Sequence, residues 1–476
     1  MAPEWRQQIY ILIRAAGRAI VNGHVSKNNE WLSITYGSIC HGWYLDGMVH
    51  EFRENKSDRM ITSDFLVIGG GVIGINIARC LKRQYSDSSV ALIEKEENCG
   101  LHASGRNSGV LHAGFYYSPD SLKARFTRLG NERLTQYCAS KKIALNKCGK
   151  LVVTKNQSEL ASLDELLQRG RTNGIELHQL TAKEAREIEP RVKTFERALF
   201  SPSTSTVDPI TVMTHMKEDA CSEGVQIHTG NPYLGREGAA VRTAKSVFSS
   251  GYVVNAAGLY ADKIARDFGF SERYRILPFK GLYLYSDEPA GSIRTNIYPV
   301  PNLGNPFLGV HFTVTASGSA KIGPTAIPAF WRENYGGMSN FQAGEFFEIV
   351  RRSAGLLAFS NFNFKHLAIE EIRKYSKVRM VELAGHLAEG VRVEHFRRWG
   401  RPGIRAQLLD IHKRKLEMDF VLEGDQHSMH VLNAVSPAFT CSLPFAEYVC
   451  EKIAVALSKR VHEVGGASKS NSMAGR

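Results

Sequence analysis

Gly69, Gly71 and Gly74 stand in the order GxGxxG within SDFLVIGGGVIG, and Glu94 follows Gly74 by twenty residues. These types at this spacing suit a dinucleotide. The glycines permit a tight turn, a close approach of backbone to pyrophosphate and close helix-on-strand packing. Val72 and Ile73 would open a helix whose first amides lack intrahelical acceptors and can meet phosphate. Glu94, with Lys95 beside it, lies where an acid accepts hydrogen bonds from ribose hydroxyls, and its charge disfavours a 2′-phosphate. A second stretch raises a different question. RNSGVLHAGFYY, residues 106–117, sets one histidine, His112, between a glycine-punctuated turn and three aromatics. Histidine titrates near neutrality and can serve as a general base. It is also a common core residue, and this stretch alone leaves both readings open.

The elements that must position these residues can be read around them. DFLVIG is a short apolar run ending in glycine, as a buried parallel strand does. VIGINIARCLKR has helical periodicity, and SVALIEKE is a second strand ending at Glu94. An NAD enzyme would continue through more alternating strands and helices. Here a long polar loop follows, GLHASGRNSGVLHAG, carrying Arg106, Asn107, Ser108 and Gly109, with His102 near its start. Such a loop suits a cofactor that runs past the pyrophosphate toward a flavin, so FAD is expected. GYVVNAAGLYAD is a further strand ending in small residues, where Ala257 and Gly258 let backbone approach the nucleotide. VLNAVSPAFTCSLPFAEYVCEKI repeats the design around Ser436 and Pro437. A nucleotide domain assembled from the start, middle and end of the chain is a flavoprotein arrangement.

The chain has 476 residues and a formal net charge of +13, which points to acidic partners. The basic residues are scattered and no nucleic-acid motif accompanies them, so no nucleic acid is expected as a partner. The eight cysteines form no CxxC pair and have no zinc-ligand spacing, which predicts free thiols and no metal. No apolar run reaches the roughly 18 residues of a membrane-spanning helix. Residues 1–60 read as an extension, either a basic amphipathic presequence or an over-long start, and 461–476 as a disordered low-complexity tail.

The order GGGVIG, RNSGVLHAGFYY, SLKAR, VVNAAG, PFKG, PFLGVHFT, GIRAQ and NAVSPA resembles the FAD-dependent L-2-hydroxyglutarate dehydrogenases and oxidases, within the D-amino-acid-oxidase-like superfamily. The resemblance runs from about Met60 to about Ile453. It implies an α/β fold: a Rossmann-like FAD-binding domain, discontinuous in sequence (about 61–150, 205–275 and 400–460). Over it would lie a six-stranded antiparallel substrate domain (about 151–204 and 276–399) with a helical insertion. It also implies oxidation of a dicarboxylate, L-2-hydroxyglutarate, to 2-oxoglutarate, with the hydride going to flavin N5. Two carboxylates then call for two cations. Arg405 in GIRAQ suits the reacting carboxylate through a bidentate fork, and Lys280 in PFKG is the second choice. His112 and His311, in GVHFT, are the candidate bases.

Three departures from the family pattern lie in the substrate half: PNLGNP before FLGVHFT, Lys280 and Leu282 where an arginine and an acid are usual, and Arg401–Pro402 before GIRAQ. They bear on the choice of hydroxy acid rather than on flavin chemistry. Sister activities of the superfamily, on amines, amino acids or glycerol-3-phosphate, are the alternatives, with a polyanion-binding flavoprotein further off. FQAGEFFEIVRRSAGLLAFSN and LAIEEIRKYSKVRMVELAGHLAEG read as basic amphipathic helices: a solvated cap, or a peripheral membrane contact passing electrons to a quinone or carrier. The expected place is the cytoplasm, against the membrane's inner face, in a bacterium, or the mitochondrion in a eukaryote.

Overall fold

The computed structural model describes residues 59–301, 308–359 and 364–471. The N-terminal extension, except for its last two residues, and NLGNPF of the departing loop lie outside them. The first sheet is eight-stranded. Five of its strands run parallel, in the order Gln226–His228, Val90–Ile93, Arg59–Ile68, Ser246–Asn255 and Ser428–Asn433. Their apolar runs are buried on both faces, as parallel strands covered by helices must be. An antiparallel hairpin, Tyr233–Glu237 and Ala240–Thr243, pairs along the start of Ser246–Asn255. The helices Val72–Gln84, Leu122–Ser140, Pro209–Ser222 and Ala438–Asn471 contribute to a core beside this sheet that includes Phe126, Phe420 and Phe445. Arg79, on the first of these helices, pairs with Asp219 at 2.9 Å and Glu223 at 2.8 Å and ties it to Pro209–Ser222 and the residue beyond.

The substrate half is built differently from the single six-stranded sheet that the resemblance implies. An eight-stranded sheet, antiparallel except for one parallel pair, contains Lys150–Val153, Asn296–Pro299, His311–Val314 and Ala320–Gly323. A separate four-stranded antiparallel sheet pairs Tyr274–Gly281 with Gly403–Asp410 over the full length of both. Gly403–Asp410, counted above with the nucleotide part, thus shares its ladder with a substrate-half strand. The expected helical insertion is present as Ala343–Phe359, Phe364–Arg373 and Lys377–Gly385. The C-terminal helix runs on to Asn471, through residues expected to be disordered; no proline after Pro444 removes an amide from its hydrogen-bond run. The seven described cysteines are free thiols.

Candidate active site

At the nucleotide end the chain turns from Ile68 into the helix Val72–Gln84 through glycines that leave no room for side chains. Gly69 has φ +110°, and a Cβ there would lie 2.6 Å from the Ala256 carbonyl oxygen. A Cβ on Gly74 would lie 1.9 Å from the Gly69 carbonyl oxygen, so helix and strand touch through bare backbone. Gly71 is roomier: its Cβ would meet Ser104 Oγ at 3.1 Å. The Val72 amide donates to Ser104 Oγ at 2.9 Å. Glu94 is buried; its carboxylate accepts from the Gly70 amide at 2.7 Å and the Glu96 amide at 2.9 Å, which fixes its orientation.

A continuous cavity of about 1120 Å³ begins here. Gly69, Gly71, Val72, Ile73, Glu94, Lys95, Arg106, Asn107, Ser108, Ala257, Gly258, Ser436 and Pro437 all line it. Gly74 and Gly109 are not among its lining residues and act through packing: at Gly109, with φ +76°, a Cβ would meet the Val207 carbonyl oxygen at 2.2 Å. Lys95 is engaged by Glu96 and, at 2.7 Å, by Glu333. His102 bridges Glu96 and the Tyr335 hydroxyl. Arg106 lies 4.4 Å over the Tyr335 ring. The Asn107 carbonyl accepts the Gly109 amide at 2.8 Å and shapes the loop. The bare-backbone cradle, the fixed carboxylate and the cavity's size fit FAD.

His112, Tyr283, Pro324 and Arg405 line the same cavity. His112 follows the short strand Val110–Leu111, and its amide donates to Thr440 Oγ1 at 3.2 Å, on the C-terminal helix. The imidazole is buried and its Nδ1 has no hydrogen-bond partner among the described residues. Burial, with the Lys150 ammonium adding to it, holds His112 well below the usual histidine range, so the ring is neutral at neutral pH. Arg405 donates to the Thr325 carbonyl at 3.0 Å.

The other two candidates are placed differently. His311 is buried outside the cavity lining, stacked on Tyr298 with centroids 3.6 Å apart. Its Nδ1 lies 3.0 Å from the Gly309 carbonyl, a bond that requires Nδ1–H and leaves Nε2 as the acceptor. Lys280 is also outside the lining. In the ladder Lys280 faces Ile404 while Phe279 faces Arg405, so the alternation of a strand sends Lys280 and Arg405 to opposite faces. The pair of cations expected to share one substrate is therefore split.

Three further side chains in the half of the molecule that holds His112 and Arg405 escape a reading of the sequence. Tyr283 lines the cavity; Lys321 is buried, donating to the Ser108 carbonyl at 3.1 Å over the Tyr283 ring; Lys150 is fully buried at the head of its strand. A lysine opening the all-apolar run LVV is the signal that marks Lys150 in the sequence.

Residues 64–451 match the family described as DAO, FAD dependent oxidoreductase. The mitochondrial L-2-hydroxyglutarate dehydrogenase of Bos taurus is 34% identical over 416 residues, which span 82% of this chain and 88% of that protein. The L-2-hydroxyglutarate dehydrogenase of Escherichia coli (strain K12) is 32% identical over 403 residues, spanning 83% and 94%. Among solved structures, the FAD-bound, dithionite-reduced L-alpha-glycerophosphate oxidase of Mycoplasma pneumoniae matches with a TM-score of 0.65 at 21% identity. It covers 83% of this chain and 95% of that one, a likeness of fold. The match runs through the glycine turn, both substrate-half sheets and the cavity between His112 and Arg405: the chain belongs to the DAO family of FAD-dependent oxidoreductases.

Proposed function

We infer that this enzyme oxidises L-2-hydroxyglutarate to 2-oxoglutarate. The observation that carries the reading is the meeting of His112 and Arg405 in the cavity that the glycine turn opens. Bound FAD supplies the hydride-accepting chemistry. The chain must then orient the hydroxy acid, remove the hydroxyl proton and keep water out. Arg405 offers a guanidinium to the carboxylate next to the reacting carbon. His112, neutral at neutral pH, offers a ring nitrogen to the hydroxyl proton. Relatives at 32–34% identity bear the name of this activity, which supports the same substrate here.

The electrons leave to a quinone or a carrier protein at a membrane surface. Supporting this, the helical insertion exposes Phe347, Val378 and Ile369, with Met338 just before it, and carries exposed Arg351 and Arg373. No described helix is long and apolar enough to cross a membrane. We propose the cytoplasm, at the inner face of the membrane, as its location in a bacterium, and the mitochondrion in a eukaryote. The test is an anaerobic titration of the yellow holoenzyme with L- and D-2-hydroxyglutarate, lactate, malate and glutamate. L-2-hydroxyglutarate should bleach the flavin at the lowest concentration. Bleaching by glutamate instead would move the enzyme to the amino-acid oxidases.

A further inference from the structure

Residues 332–345 run from the short strand Ile327–Pro328 into the first turn of the helix Ala343–Phe359, and both ends are pinned to the nucleotide part of the chain. Arg332 is fully buried; its guanidinium forks onto Asp262 at 2.7 and 3.0 Å and donates to the Leu259 carbonyl. Asp262 lies on Ala261–Asp267, the helix that follows VVNAAGLY. At the other end the Glu345 carboxylate accepts the Arg332 amide at 3.0 Å and pairs with Lys263, on that same helix, at 2.7 Å. Removing one partner from such a buried set leaves an uncompensated charge, so both ends of the segment are held in place. The turn between them is braced from within. The Trp331 indole donates to the Ser339 carbonyl at 3.0 Å, and Asn340 donates to Glu333 at 3.1 Å.

The braced turn reaches the nucleotide end of the cavity. Glu333 and Asn340 line it, together with Lys95, His102, Arg106 and Tyr260. Glu333 pairs with Lys95 at 2.7 Å and accepts from the Tyr260 hydroxyl at 2.7 Å. Tyr335 meets the polar loop: its hydroxyl lies 2.6 Å from His102 Nδ1, and Arg106 lies over its ring. With the His102 Nε2 proton given to Glu96 at 2.9 Å, Nδ1 accepts the proton of the tyrosine.

Two side chains of one substrate-half turn thus join three stretches of the nucleotide part: Lys95, the loop at 102–106, and Tyr260. Lys95 is the neighbour of Glu94, the acid at the ribose position. Glu333 is buried, and a carboxylate tolerates that loss of water because polar partners from separate stretches meet it. Lys95, Tyr260 and Glu333 all line the cavity, so their bridge is part of its wall at the end that Glu94 marks.

We infer that residues 332–345 are a clasp for the adenosine half of FAD, latched by Glu333 on Lys95 and by Tyr335 on His102. Through these two side chains the substrate half sets how long the cofactor stays. The inference rests on the FAD seat and is independent of which hydroxy acid is oxidised.

The test follows FAD release by the rise in flavin fluorescence after strong dilution of the holoenzyme. Glu333→Gln keeps an oxygen for Tyr260 and removes the charge that holds Lys95. It should release FAD roughly 10-fold faster than wild type, the scale of one charged hydrogen bond. Lys95→Met breaks the same bond, so adding Glu333→Gln to it should raise the rate by no more than about twofold. On heating, wild-type flavin release and loss of helical circular dichroism should coincide, whereas in Glu333→Gln release should come first. A merely structural Glu333 would move both together, and that result overturns the inference. So does an unchanged release rate in folded Glu333→Gln, or a double variant in which the two effects multiply. Should Glu333→Gln not fold, Tyr335→Phe takes its place, since it loses only the hydroxyl bonded to His102. Release from Tyr335→Phe at the wild-type rate then overturns the clasp. Flavin that stays on the heat-unfolded chain overturns it as well, because a covalently bonded cofactor needs no clasp.

Discussion

The two ends of the cavity handle charge in opposite ways. At the nucleotide end the charges are partnered: Glu94 takes two backbone amides, and Lys95 lies between Glu96 and Glu333. At the other end His112 keeps an unpartnered ring nitrogen, and Lys150, outside the lining, is buried without a counter-ion, among the described residues. Paired groups are already satisfied and shape a rigid seat for a cofactor that stays. Unpaired groups in a dry compartment retain their full field, which can act on a proton as it moves. The contrast is between a seat built for stability and a compartment where stability is given up for reactivity.

Five substitutions would break or sharpen that contrast. The largest effect belongs to Gly74→Ala. With a Cβ 1.9 Å from the Gly69 carbonyl oxygen, strand and helix must separate, so the purified protein should lose its yellow colour or fail to fold. Gly71→Ala meets a serine hydroxyl at 3.1 Å, so its flavin absorbance should remain nearer wild type. Next is Arg405→Lys, which loses the fork but keeps a charge. Steady-state assays should show KM for the hydroxy acid rising about 10- to 100-fold, the equivalent of one strong charged hydrogen bond, with a smaller change in kcat.

Lys150→Met should stabilise the protein, and its pH dependence carries the sign. The Lys150 pKa is lowered from 10.5 to about 7, so the folded state resists a proton that the unfolded chain accepts. That penalty is absent above the unfolded value, grows as pH falls and is complete below about 7. Melting curves should therefore show Lys150→Met exceeding wild type by a few kcal/mol at most (order of magnitude) at pH 6, and by less toward pH 10. Equal stability at both pH values would mean that the ammonium is not desolvated. The smallest effect is that of Ser104→Ala, which removes the acceptor of the Val72 amide. Loss of one such bond is worth about 1 kcal/mol, so flavin titration should show a several-fold weaker affinity for FAD.

The same contrast explains what could be read from the sequence. The nucleotide seat is local: three glycines, a helix start and an acid lie within twenty-six residues, and their chemistry is mostly that of the backbone. Residue type and spacing therefore reveal it, and Gly69, Gly71 and Glu94 line the cavity. The catalytic end is assembled from strands more than a hundred residues apart. Whether Lys280 shares a face with Arg405 depends on strand register, which parity along one strand does not disclose. Lys150 matters through the partners it lacks, and a missing counter-ion is visible only once Tyr298, Phe115 and Tyr116 have closed around it.

The central claim is that His112 takes the hydroxyl proton, and the rate of flavin reduction in His112→Ala at saturating L-2-hydroxyglutarate tests it most directly. Loss of a general base costs about 10²- to 10⁴-fold, so the single-turnover rate should fall by that much, with the acid limb of the pH profile abolished. Reduction at the wild-type rate in His112→Ala, with a slow His311→Ala beside it, would transfer the role to His311; normal rates in both would leave the two histidines as structural residues.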